Sequence, residues 1–184
     1  EDLLELYEEY WLHQGFSTAQ EQMQWHGKGE EIIKSFYEDD VKNRSEIIAV
    51  EREVLFPLGR HQIRGTIDRI DRRVGGEIEI IDYKTHWHKS SLEELSQNLQ
   101  LRIYGLAAKE SLALEPQWIT LYYVAAGERL SVPYPQEGEE DIRDLLSRVG
   151  DWIASGVRFQ PDTSFCPNCG FRDRCTNSIA KIKT

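Results

Sequence analysis

The hydrophobic period of the chain changes along its length, and the changes mark its elements. Residues 3–14 set Leu3, Leu6, Tyr7, Tyr10 and Trp11 at helical spacing. Residues 18–39 predict a second helix, although "WHGKGEE" places two glycines in its middle. From "SEIIAVEREVLFPL" the period drops to two, and Val50, Val54 and Phe56 alternate with polar residues as in a half-buried strand. "PLGR" turns the chain, "HQIRGTIDRIDRR" pairs back, "VGGE" turns again and "EIEIIDYKT" runs as a third strand. The prediction is a three-strand meander over residues 46–85. A long helix follows at about 91–113, opened by "SSLEEL", where Ser90 or Ser91 can cap and the glutamates suit the positive helix end. Leu92, Leu95, Leu99, Ile103 and Leu106 form its expected buried stripe. "QWITLYYVAA" and "ERLSVPYP" read as two further strands about the turn "AAGE", and "GEEDIRDLLSRVGDWIASG" as a last helix ended by Gly156. The order α-α-β-β-β-α-β-β-α predicts an α/β domain with a central mixed sheet flanked by helices. Residues 1–156 form its expected core, and 157–184 a loop-like tail of the same domain.

Composition narrows the class. The 184 residues suffice for one domain with a sizeable core. No stretch approaches the roughly 18 apolar residues that span a bilayer, and no signal peptide is evident, so a cytoplasmic protein without membrane association is expected. The opening "EDLLELYEEYWLHQGF" starts inside an amphipathic pattern with no Met and no cap, as in a piece cut from a longer chain. With 32 acids against 22 bases, the net charge of −10 argues against a free-standing, non-specific nucleic-acid binder. It leaves open a nuclease, whose metal site needs carboxylates and whose grip on DNA comes from a partner domain. No phosphate-binding G-x-x-x-x-G-K-[ST] loop is present, so the chain itself is not expected to be an ATPase.

The candidate chemistry lies where the third strand ends, in "IDYKT". Alternate side chains of a strand share a face, so Asp82 and Lys84 point the same way. Asp68, in "GTIDRID", comes near Asp82 when the two strands pair. Two crowded acids call for a cation, and Mg²⁺ or Mn²⁺ is the natural one, with the Tyr83 carbonyl as a further oxygen ligand. Such an ion activates water, while Lys84 orients that water or offsets charge on a scissile phosphate. Asp71, three beyond Asp68, belongs on the opposite face of a regular strand. In "QNLQLRIY", Gln100 and Tyr104 lie four apart on one helix face, where they can bind phosphate or hold Lys84.

The ordered set "GTIDRID", "IDYKT" and "QLRIY" resembles the PD-(D/E)XK nuclease superfamily. More narrowly it resembles the RecB-like group, which includes nuclease domains at the C-termini of UvrD-like helicases and of AddAB-type enzymes. The resemblance covers most of the chain and implies a restriction-endonuclease-like core. It implies that Asp68 and Asp82 bind metal, that Lys84 acts beside them in activating water, and that Gln100 and Tyr104 form the Gln-x-x-x-Tyr motif of the next helix. Its members often add an upstream His or Glu to the metal, for which His26 and Glu30 are candidates, with Glu51 a further carboxylate. His86 and His88 follow Lys84 closely enough to touch substrate. The implied function is a Mg²⁺- or Mn²⁺-dependent deoxyribonuclease in a helicase–nuclease of DNA repair or recombination. Its substrate would be single-stranded or unwound DNA, fed by a helicase motor in cis or in trans. The alternative is a catalytically silent nuclease-like DNA-binding or scaffold module with a metal-bound tail.

"FCPNCGFRDRC" holds all three cysteines of the chain, Cys166, Cys169 and Cys175, as C-x2-C-x5-C. They are too few and too close for a disulfide framework and read as a metal site in a reducing compartment. Zinc and iron–sulfur clusters both ask for four ligands. The resemblance implies a [4Fe–4S] cluster whose fourth cysteine lies upstream of this chain, with zinc as the alternative.

Overall fold

The computed structural model describes residues 2–85, 89–158 and 160–179. Its alternating segment folds into three antiparallel strands, β1 (Glu46–Leu58), β2 (His61–Arg72) and β3 (Ile78–Lys84). A two-residue connection joins the first pair, made possible by Gly59 at φ 57, where a side chain would be strained. β4 (Pro116–Tyr123) runs parallel to β3, and β5 (Glu128–Pro133) antiparallel to β4. The result is a five-stranded mixed sheet in the order β1-β2-β3-β4-β5. Around it lie α1 (Asp2–Tyr10), α2 (Ala19–Lys42), α3 (Leu92–Ser96), α4 (Leu99–Leu112) and α5 (Glu139–Ala154). This is the mixed α/β architecture that the sequence predicts. The chain divides into two compact units, Glu1–Ser147 around the sheet and Arg148–Thr184, which holds the end of α5 and the cysteine turns.

The two faces of the sheet are covered in different ways. One buries Ile70, Ile78, Ile80, Ile119, Leu121 and Val132 against Leu95 of α3 and Leu101, Leu106, Ala107 and Ala108 of α4. Removal of this apolar area from water is the main stabilising term of the fold. The opposite face meets α2, none of whose residues is fully buried. Contact there is made by rings and ion pairs. Phe36 stacks on Tyr122 at 5.6 Å and meets Tyr83 edge-on at 5.8 Å, while Asp39 pairs with Arg129 and Asp40 with Arg69.

Local details differ from the sequence expectations, each for an identifiable reason. The helix expected over 91–113 is broken. Ser91 and Glu94 close a capping box that starts α3, and the Asn98 side chain then accepts from the Leu101 N–H at 3.0 Å to start α4. The restart rotates the buried stripe, so Leu101 is buried while Leu92 and Leu99 are exposed. Val50 is likewise exposed, in the stretch of β1 that holds the register irregularity between Ile47 and Ala49 and the positive φ of 45 at Glu51. α2 runs unbroken through its glycines. A Cβ on Gly29 would fall 2.1 Å from the Tyr7 hydroxyl, which donates to the His26 carbonyl at 2.9 Å, so this glycine is the notch into which α1 docks.

Candidate active site

β2 and β3 pair with Arg69 opposite Ile81 and Ile70 opposite Ile80. One step further in the same register, Asp68 stands beside Asp82, on the face that carries Ile70 and Ile80. The regular ladder has ended there, and the Tyr83 N–H donates instead to Asp68 Oδ2 at 2.9 Å. Lys84 follows Asp82 on the same face. Its Nζ lies 2.5 Å from Asp82 Oδ2 and donates to Gln100 Oε1 at 3.0 Å. Gln100 is the second residue of α4, and its Nε2 donates to the Tyr104 hydroxyl at 3.0 Å. A chain of polar contacts therefore runs from Asp82 through Lys84 and Gln100 to Tyr104, with Asp68 joined through the backbone of Tyr83.

Electrostatics make this end of the sheet uneven. Asp82 is only 2% exposed, whereas Asp68 and Lys84 are half-buried. Burial pushes the Asp82 carboxyl above the usual carboxylate range. Lys84 pulls it back down and the Asp68 carboxylate adds to the rise. Although the ammonium is close, Asp82 Oδ2 accepts no well-aligned hydrogen bond, so the pair is held by charge without good geometry. Two like charges, one of them buried with an unmatched oxygen, form a donor set that a hard divalent cation would relieve. Two carboxylates with the Tyr83 carbonyl suit an ion that keeps waters and takes its remaining oxygens from a substrate phosphate. The residues present fit such a cation.

Other candidates lie elsewhere. His26 contacts Glu8 through Nε2 at 3.0 Å and packs its ring against Tyr7 and Trp11, inside the α1–α2 hairpin. It stands ten residues before Phe36 on α2, about 15 Å along the helix axis. Among the described residues no three His, Cys, Asp or Glu side chains converge on one point, so His26 does not join the two acids. Glu30 pairs with Lys34 at 2.6 Å. Glu51 is exposed, at the level of Asp68 in the register of β1 with β2. His86 and His88 lie outside the described residues. In the C-terminal unit Cys166, Cys169 and Cys175 are half-buried free thiols on successive turns about a short 3-10 helix, and their sulfurs do not gather around a common point.

Arg69 and Asp71 form a second polar group that the sequence signalled only weakly. Arg69 is 3% and Asp71 0% exposed, and the arginine fork grips the carboxylate through Nε at 2.6 Å and Nη2 at 2.9 Å. Burial alone would discourage charge on the guanidinium, but Asp71, Tyr83 and Asp40 hold it protonated. The available signal was alternation, which sends Arg69 and Asp71 to the side away from Asp68.

The sequence profile of the PD-(D/E)XK nuclease superfamily matches residues 1–176, nearly the whole chain. The chain belongs to this superfamily. Among solved structures, this PD-(D/E)XK protein is similar to one described as the crystal structure of SSO0001. The two share 18% identity over 98% of this chain and 95% of the other, with a TM-score of 0.47. No curated protein sequence matches it significantly. PD-(D/E)XK proteins are generally nucleases that use divalent metals such as Mg²⁺, in keeping with the donor set at Asp68 and Asp82. No described helix is long and apolar enough to cross a membrane.

Proposed function

We propose that this PD-(D/E)XK chain is a Mg²⁺- or Mn²⁺-dependent deoxyribonuclease of the RecB-like type. It acts on single-stranded or unwound DNA delivered by a helicase motor, in cis or in trans, during repair or recombination. One observation carries the reading: β3 and α4 bring Asp82, Lys84, Gln100 and Tyr104 into one connected group beside Asp68. The RecB-like assignment leans on α4, where Gln100 of the Gln-x-x-x-Tyr pair engages the lysine and Tyr104 engages Gln100. A net charge of −10 suits a domain that is handed its DNA better than one that captures it.

In this reading Asp68, Asp82 and the Tyr83 carbonyl hold the cation. When bound, it supplies Lewis-acid activation of water and of the scissile phosphate. The protein's own groups do the rest. A lysine ammonium has three N–H donors. Gln100 accepts from one of them, and Asp82 holds the ammonium from its other side by charge, so donor capacity remains for a phosphate oxygen or the attacking water. Gln100 fixes the ammonium against rotation and Tyr104 fixes Gln100, so the charge is in place before negative charge develops on the phosphate. Residues 1–156 form the nuclease core, with 157–184 as its tail. Cys166, Cys169 and Cys175 are the proposed cysteine ligands of a [4Fe–4S] cluster, with zinc as the alternative metal. Iron, sulfide and zinc analysis of anaerobically purified protein separates the two.

The deciding experiment is Mn²⁺-dependent cleavage of labelled single- and double-stranded DNA by wild type and Lys84→Ala, with circular dichroism confirming that both are folded. Loss of the lysine is expected to reduce cleavage by about 10²–10³-fold. Equal cleavage by both proteins would remove Lys84 from the chemistry. Silence from a folded wild type would favour the silent DNA-binding or scaffold module.

A further inference from the structure

Directly behind the two acids the sheet carries a buried cation that the cleavage chemistry does not call for. Arg69 follows Asp68 and Tyr83 follows Asp82, so strand alternation sends both side chains to the face covered by α2. Besides its two bonds to Asp71, the guanidinium uses Nη1 to reach Asp40 Oδ1 at 2.6 Å and the Tyr83 hydroxyl at 3.4 Å. Asn43, the C-cap of α2, adds a contact to Asp71 Oδ2 at 3.4 Å. One side chain thus joins β2, β3 and the end of α2.

The location is informative. Arg69 and Ile81 are the last regular pair of the β2–β3 ladder, and the two acids lie just beyond it. Main-chain bonding therefore stops defining the strand separation at the place where a metal site needs it defined. The Tyr83 N–H to Asp68 bond restrains the acids from within the sheet, and the Arg69 to Tyr83 bond restrains them from behind. Burying a charged fork is costly, and apolar residues of similar size pack helices onto sheets without that cost. What the planar fork adds is direction, because its donors leave at fixed angles toward three elements.

We propose that Arg69 is a positioning residue that sets the spacing of Asp68 and Asp82, and so the cation affinity of the site, from the opposite face of the sheet. The proposal rests on the reading above that these two acids hold a divalent cation. Arg69 touches neither metal nor DNA.

The test is calorimetric titration of Mn²⁺ into the intact chain, run without DNA. Arg69→Lys keeps the charge and loses the fork. It is expected to remain folded by circular dichroism and to bind Mn²⁺ about 10–100-fold more weakly, as loss of a ligand-orienting partner does. Tyr83→Phe, which keeps the Tyr83 carbonyl, should weaken binding in the same direction by less. Cleavage by Arg69→Lys should return toward the wild-type rate at saturating Mn²⁺. Arg72→Lys, an exposed change on the same strand, should bind as wild type. A purely structural role would lower the melting temperature and leave the affinity of the folded protein unmoved. Wild-type affinity in folded Arg69→Lys overturns the proposal. Should Arg69→Lys not fold, Tyr83→Phe and Asp40→Asn decide, and wild-type affinity in both overturns it. A folded wild type that binds no Mn²⁺ would instead remove the metal reading itself, an outcome distinct from failure at Arg69.

Discussion

Asp82 is the residue at which function and stability oppose each other. Burial raises its carboxyl above the ordinary value, Lys84 offsets part of that rise, and Asp68 adds to it. The native state therefore holds this proton more tightly than the unfolded chain does. Stability falls as pH rises from the ordinary Asp range through the raised native value, and the deficit persists at neutral pH. Asp82→Asn removes the charge and keeps the shape. In EDTA at pH 7 it should melt at a higher temperature than wild type, with the gap closing as pH drops below the ordinary Asp range. A lower melting temperature at pH 7 would mean that attraction to Lys84 outweighs burial. At this scale the sequence was partly legible. Asp82 and Lys84 share a face by alternation, and Asp68 follows from the antiparallel pairing. Arg69 was not singled out, because a charged residue in a strand ordinarily marks a solvated face, and nothing local shows that α2 covers it.

At the level of elements, α4 illustrates how packing overrides local preference. Gly105 sits inside it, where Ala would ordinarily stabilise a helix by about 1 kcal/mol. A Cβ there would fall 2.2 Å from Cε2 of Tyr134, a ring that is 5% exposed and whose hydroxyl donates to the Arg102 carbonyl. The ring has little room to retreat, so Gly105→Ala should lose about 1–3 kcal/mol net, measured by urea denaturation. Unchanged or increased stability would show that Tyr134 moves aside cheaply. Turn residues and the period of two specified the three-strand meander, because both signals act within a few residues. The break at Asn98 was missed for the converse reason. Apolar spacing runs on across it, and only the side-chain cap on the Leu101 N–H shows that the helix restarts. Beginning α4 there places Gln100 in its first turn, against Lys84.

For the whole molecule, the proposed cation is a ligand of the folded state. Mn²⁺ at about 100 times its dissociation constant should add about 2.7 kcal/mol of stability. Scanning fluorimetry should show a rise in melting temperature that is absent from the Asp68→Asn, Asp82→Asn double variant. An equal rise in both proteins would place the bound ion elsewhere. The sequence by itself determined the strand meander, the helices on either side, and the chemical kinds of the site: two acids, a lysine, an amide and a phenol in a fixed order. Those features follow from periodicity, turn chemistry and side-chain identity, all local to the chain. Only the tertiary structure decided which of these groups meet. It set Gln100 on Lys84, placed Arg69 behind the acids, left His26 in the α1–α2 hairpin, and buried Asp82 while Asp68 stays half-exposed. Such contacts join residues far apart in sequence, so they depend on how helices pack on a twisted sheet, a balance that no short window of the chain contains.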